Sequence, residues 1–202
     1  MAVIGTCKAI LLMTAISNFS DGHLHTSEAG IKRILKYESC RLEPYRCSAG
    51  VWTDGVGNTF DVSPGFPISE THAARDFVDN LKHFEKQLYR ALPYDVSQYT
   101  WDALMSFAFN IGMTQFKRST LLKRIKQDRL GEACMEMNRW VYVKKRRLKG
   151  LVKRRKEESF WCHSGVYFPV KPYRLDIMDL LNEFNYRDPD DISLYFKTVQ
   201  KK

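Results

Sequence analysis

Near residue 38 the apolar spacing of the chain changes its period, and that change limits what can be built there. Ile31, Ile34 and Leu35 recur at i, i+3 and i+4, as on one face of a helix, and Glu38 continues the same face at i+7. Beyond it come strand formers, Tyr45, Val51, Trp52, Thr53 and Val56. Ser-Ala-Gly before Val51 and Asp-Gly after Thr53 favour tight turns with positive φ. A short β-ribbon beside the end of a helix can set Cys47 and Thr53 across a cleft from Glu38.

A carboxylate on an apolar helix face is partly desolvated, which raises its pKa and suits a general acid. Glycoside hydrolysis needs such an acid on the leaving oxygen and, on the other face of the sugar, a group that holds water or attacks. Glu38 is the candidate acid, Cys47 the opposing group and Thr53 the orienter of water or nucleophile. The plain alternatives are a helix-end Glu38 paired with an arginine and a Cys47 that is only a small buried hydrophobe. Asp54, in an Asp-Gly turn, and Glu43, before Pro44 in an expected loop, are the rival carboxylates.

The pattern E-x8-C-x5-T followed by D-G-x-G, Glu38 to Gly57, resembles the catalytic hairpin of the phage-type lysozymes, glycoside hydrolase family 24. Two later stretches extend the resemblance: Trp101 to Gly112 with F-K-R-S-T-L-L from Phe116, and then Trp140, Gly150, Leu151, Arg154 and Arg155. It implies an α+β, mostly α-helical, lysozyme-like fold whose small β-hairpin lobe and helical lobe flank a cleft. It also implies hydrolysis of the β-1,4 bond between N-acetylmuramic acid and N-acetylglucosamine, with Glu38 as proton donor and no cofactor or metal. In the family the Asn110–Gly112 corner and Ser119–Thr120 line or support the cleft. Most members carry Asp where this chain has Cys47, so nucleophile, base and mere spacer all stay open for the sulfur. The rival enzyme is a lytic transglycosylase using Glu38 alone.

The formal charge of +9 favours anionic surroundings. The basic cluster from Lys144 to Lys156 has only Trp140 and Tyr142 as aromatic neighbours and no recognition motif. It reads as a solvated face drawn to the anionic bacterial envelope, with no nucleic-acid partner. The competing class is a cationic membrane-active or nucleic-acid-binding protein in which the hairpin is only structural. His23 and His25 lack further metal ligands.

Five cysteines cannot all pair within the chain. Cys134 and Cys162, each in a helical stretch, are the expected structural bridge, although connectivity is not fixed by sequence. Family members with cysteine at the position of Cys47 are the membrane-tethered kind, which turns attention to Cys7, Cys40 and Cys47. Three thiols hold one bridge, so Cys40–Cys47 and Cys7–Cys40 are exchangeable states, the first blocking the catalytic position.

The domains are expected as follows: 1–18 a signal-arrest-release segment, 19–27 a linker, 28–165 the lysozyme domain, and 166–202 a C-terminal extension. Residues 2–17 are apolar apart from Lys8 and small hydroxyl residues, too short to cross a ~30 Å hydrocarbon core securely. A cleaved signal peptide, which would discard Cys7, is the second reading and an ordinary buried helix the third. The tethered state would sit in the host inner membrane, N-terminus in, before release to the periplasm. The partners are peptidoglycan, that membrane and, indirectly, a holin, with the protein a monomer. Helices are expected from Glu28 to Tyr37 (capped by Thr26 or Ser27), from Ser69 to Pro93 and from Gly131 to Trp140. A further amphipathic candidate is Leu175 to Phe184.

Overall fold

The computed structural model describes Cys7 and residues 9–20, 22, 24–47 and 50–167. His23 and the candidate helix from Leu175 to Phe184 lie outside those residues, as do Lys8 and most of the residues before it.

Helix α2 (Glu28–Tyr37) begins where Ser27 accepts a hydrogen bond from the Gly30 amide, an N-cap that satisfies one of the first-turn donors. It buries Gly30, Ile31 and Ile34 and ends at Glu38, whose backbone is extended. Strands β1 (Arg41–Arg46) and β2 (Trp52–Gly55) follow as an antiparallel hairpin that pairs Tyr45 with Thr53 and Arg46 with Trp52. The register slips between Arg41 and Tyr45. Pro44 lies in that interval and has no N–H to give to a ladder, which accounts for an irregularity there. Glu43 is therefore in a strand, correcting the expected loop.

Helix α3 (Glu70–Ala91), capped by Ser69, buries Ala74, Phe77, Val78, Leu81 and Leu88 along one face and stops short of Pro93. Helix α4 (Gln98–Ile111) is apolar nearly all round, and every residue from Thr100 to Ala108 is buried; such a helix belongs at the centre of a core. Gly112, at φ 82°, turns the chain from α4 into α5 (Met113–Arg118), and α6 (Thr120–Lys126) follows. The expected helix from Gly131 to Trp140 is α7 (Leu130–Glu136) and a 3-10 turn, Met137–Arg139. Strands β3 (Tyr142–Val143) and β4 (Arg146–Arg147) form a second hairpin, not anticipated from sequence, before α8 (Lys149–Tyr167).

Helix α8 packs along α4, and a disulfide between Cys134 and Cys162, with Cα atoms 5.4 Å apart, ties it to α7. A second disulfide joins Cys7 to Cys40, with Cα atoms 5.5 Å apart, at the entrance to β1. Helix α1 (Ala9–Ser20) lies against α3 with Leu12 and Ile16 buried and Phe19 under the Arg75 guanidinium. Residues 9–20 thus form a helix docked on α3 by one face, with Thr14, Ser17 and Asn18 exposed. The linker is also less solvated than expected. Glu85 of α3 accepts hydrogen bonds from the amides of His25 and Thr26 and from Thr26 Oγ1, and His25 stacks edge-on against Trp101.

Candidate active site

Glu38 stands where α2 ends, so its side chain is placed by a helix terminus rather than by a mobile loop. Its side chain is 22% exposed, and Arg154 Nη1 donates to its Oε1 at 2.7 Å. Of the two sequence readings of Glu38, the pairing of a helix-end carboxylate with an arginine is what the structure contains; Glu38 caps α2 with an extended backbone and is not a member of its apolar face.

Arg154 is itself fixed on every side. Nε donates to Glu158 Oε1 at 2.9 Å and Nη2 to the Ser106 carbonyl at 3.0 Å, while the guanidinium lies 5.0 Å from the Tyr37 ring centroid. Glu158, fully buried, also accepts from Ser106 Oγ at 2.6 Å and from Arg155 Nη1. Arg155 continues the chain to Asn110 Oδ1 and, at 3.2 Å, to the Trp140 carbonyl. Burial lowers the pKa of the Arg155 guanidinium, and the charge of Glu158 opposes that shift. Two buried cations are held by one buried carboxylate and one partly exposed one, the pairing that charges away from water require. Arg154 and Arg155 are thus not part of a solvated basic face, as the Lys144–Lys156 cluster suggested. The other cations of the cluster, Lys144 to Arg147, Lys149, Lys153 and Lys156, are exposed.

The hairpin carries the other two candidates. The Cys47 amide donates to the Val51 carbonyl at 2.9 Å, which extends the β1–β2 pairing by two residues beyond Tyr45. Side chains alternate along a strand and cross-strand partners share a face, so Cys47 and Thr53 belong to the same face of the ribbon. Thr53 is buried, with Oγ1 donating to the Val51 carbonyl at 3.2 Å. Cys47 is partly buried and belongs to neither disulfide. Asp54 exchanges backbone hydrogen bonds with Asn58 and accepts from Asn58 Nδ2 at 3.0 Å, the arrangement of a turn-fixing residue.

A cavity of about 750 Å³ opens beside Glu38, lined also by Leu12, Leu35, Ser39 and the Cys7–Cys40 disulfide. Its described lining contains neither Cys47 nor Thr53. It lies between α1, α2 and the start of β1, on the side of Glu38 toward the N-terminal disulfide. Ser119, expected to support the cleft, caps α6 by accepting from the Leu122 amide. Gly150 and Leu151 lie in the first turn of α8, ahead of the arginines. Sequence reasoning missed Ser106 and Glu158. Glu158 was findable, since it follows Arg154 by four and Arg155 by three, the spacing at which helical ion pairs form.

Residues 35–158 match the family model described as phage lysozyme. The chain is 36% identical over 140 residues to an endolysin of Acyrthosiphon pisum secondary endosymbiont phage 1, covering 67% of this chain and 96% of that protein. It is 30% identical over 176 residues to a SAR-endolysin of Escherichia phage P1, covering 80% of this chain and 94% of that one. Among solved structures, the active form of the P1 phage endolysin superposes with a TM-score of 0.70 at 30% identity, covering 80% of this chain and 97% of that chain.

Proposed function

Because the chain belongs to the phage lysozyme family and is a lysozyme-type glycosidase that lyses peptidoglycan, we propose that it cuts the β-1,4 bond between N-acetylmuramic acid and N-acetylglucosamine. The observation that carries this reading is the Glu38 carboxyl group held by Arg154 at 2.7 Å through Oε1. Among the described residues only that oxygen is hydrogen-bonded, so Oε2 is the one available to the glycosidic oxygen. Glu38 gives its proton there as the bond breaks. Arg154 then faces the carboxylate charge that forms, and Glu158 keeps the guanidinium from turning away.

Cys47 and Thr53 supply the opposite side of the sugar from one face of the hairpin. Thr53 orients water, and Cys47 takes the place of the usual aspartate. Turbidity clearing of peptidoglycan tests the assignment: wild type clears, and Glu38→Gln loses about a thousandfold in rate, within the range that an acid–base group contributes. Equal clearing by both ends the enzyme reading. Anomeric configuration in the product separates a thiolate nucleophile (retention) from a thiol that only accommodates water (inversion). Anhydromuramic ends, with Cys47→Ser fully active, would mark a transglycosylase instead.

Control belongs to the N-terminal segment. The similarity to SAR-endolysins supports tethering in the inner membrane followed by release to the periplasm. No helix among the described residues is long and apolar enough to cross a membrane, and α1 spans only ~18 Å at the helical rise. In the tethered state Cys40 is bonded to Cys47. These residues flank the whole of β1, on the order of 20 Å apart along an extended strand, whereas a disulfide brings Cα atoms within about 7 Å. That bridge therefore requires the β1–β2 hairpin to open, which silences the enzyme by dismantling the ribbon and not only by capping a sulfur. Attack by the Cys7 thiolate on Cys40 gives Cys7–Cys40, releases the Cys47 thiolate and lets the ribbon close. Peptide mapping of non-reduced protein should find Cys40–Cys47 in membranes and Cys7–Cys40 in the soluble fraction; one bridge in both fractions refutes the exchange.

A further inference from the structure

The β3–β4 hairpin is the part of the described structure least accounted for by hydrolysis. Residues 142–150 are all exposed, an unbroken run that begins directly after buried Val141. Lys144, Lys145, Arg146, Arg147 and Lys149 fall within it, with no acidic residue from Tyr142 to Lys156. Among the described residues, none of these five cations forms an ion pair. Beside them stand exposed apolar side chains, Tyr142 at 61%, Val143 at 49% and Leu148 at 39%.

The turn holds this arrangement in an unfavourable conformation. Val143 pairs with Arg146, so Lys144 and Lys145 form a two-residue loop, and both are left-handed, with φ of 45° and 66°. Such a turn favours Asn-Gly, and Lys-Lys adopts it against its own backbone preference. The base of the hairpin is firm: the Leu148 amide donates to the Val141 carbonyl at 3.0 Å, and the neighbouring Trp140 carbonyl accepts from Arg155. The hairpin and Lys149, the first residue of α8, thus present five cations among apolar groups, none of them in an ion pair among the described residues.

We propose that this hairpin docks the enzyme on the surface of a bilayer rich in anionic phospholipid. The cations match phosphate headgroups, and Val143 and Leu148, which share one face of the hairpin, enter the boundary between headgroups and acyl chains, with Tyr142 at its edge on the other face. A soluble polyanion would pair with the cations but leave these apolar side chains in water. Docking through this surface does not depend on which glycosidic bond is cut, and it keeps released enzyme beside the membrane.

The test measures partitioning of the full chain onto phosphatidylcholine vesicles with and without phosphatidylglycerol. The charge variant combines Lys144→Asn and Lys145→Gly with Arg146→Gln and Arg147→Gln; its Asn-Gly turn suits the left-handed backbone, so the hairpin is retained. Both proteins keep the N-terminal segment, so that any contribution from it cancels. Binding to phosphatidylglycerol vesicles should fall at least about a hundredfold in the charge variant. It should fall about tenfold when Tyr142, Val143 and Leu148 are all changed to Ser with every cation kept. Wild-type binding by the charge variant overturns the proposal. Wild-type binding by the Ser variant, with full competition by soluble polyphosphate, also overturns it and makes a polyanion the partner.

Discussion

Glu38, Arg154 and Glu158 show how one carboxylate prepares another. Glu158 has no exposure and two guanidinium partners, so Glu158→Gln leaves buried positive charge undercompensated. Loss of one partner from such a buried set costs about 3–5 kcal/mol, which chemical denaturation would register as a lower midpoint. Arg154→Lys keeps a charge but cannot reach Glu38, Glu158 and Ser106 from one planar group. Wall clearing should drop at least roughly tenfold, more than any loss in stability explains, when measured well below the melting temperature. His163 gives a pH prediction. It is buried, and its Nδ1–H donates to the Ser159 carbonyl at 2.9 Å; burial holds its pKa below the ordinary 6.5. Below pH 6.5 the unfolded chain takes up a proton that the folded chain refuses, so this residue's contribution to stability is present above 6.5 and is lost as pH falls. The loss is at most ~1.4 kcal/mol per pH unit, and His163→Gln should remove that part of the slope in denaturation curves taken across pH 5–7. Of these residues, Glu38 and both arginines were named from sequence. Ser106 was not, because a serine inside an apolar helix shows no sign of which carboxylate it will meet.

The elements differ in how openly they are written. Helices α2 and α3 follow from apolar periodicity, and Ser27 and Ser69 cap them as serines before such runs do. The β3–β4 hairpin was hidden because its turn is Lys-Lys and carries none of the glycine or asparagine that normally marks one. The start of β1 was hidden by Pro44, which argues against a strand unless the ladder slips, as it does here. Gly165 has a meaning that only the packing of α8 reveals. A Cβ there would collide with Ser97 Oγ and Thr100 Oγ1 and lie 2.7 Å from the Thr100 amide nitrogen. Gly165→Ala should push α8 away from the α4 N-terminus and cost about 1–3 kcal/mol, seen as a lower melting temperature with helical content retained.

For the molecule as a whole, two disulfides close very different structures. Cys134–Cys162 joins α7 to α8 across 28 positions of chain, and replacing both cysteines with alanine should cost about 3–4 kcal/mol of stability through the freer unfolded chain. Reductant on the wild type opens Cys7–Cys40 as well, so the loss it causes should be at least as large. Cys7–Cys40 instead ties Cys7 to the entrance of the β1–β2 hairpin, while α1 lies on α3 with Leu12 and Ile16 covered. The sequence by itself determined the helical and ribbon segments around Glu38, the Glu-Cys-Thr spacing and the odd cysteine, since periodicity, turn residues and residue counts are local or additive. Tertiary structure alone decided that Arg154 grips Glu38, that Arg155 is buried while Arg147 is not, and that Cys7 has bonded to Cys40. Each depends on which distant groups arrive within a few ångströms of one another, and charge, burial and sulfur pairing take their values from that arrival.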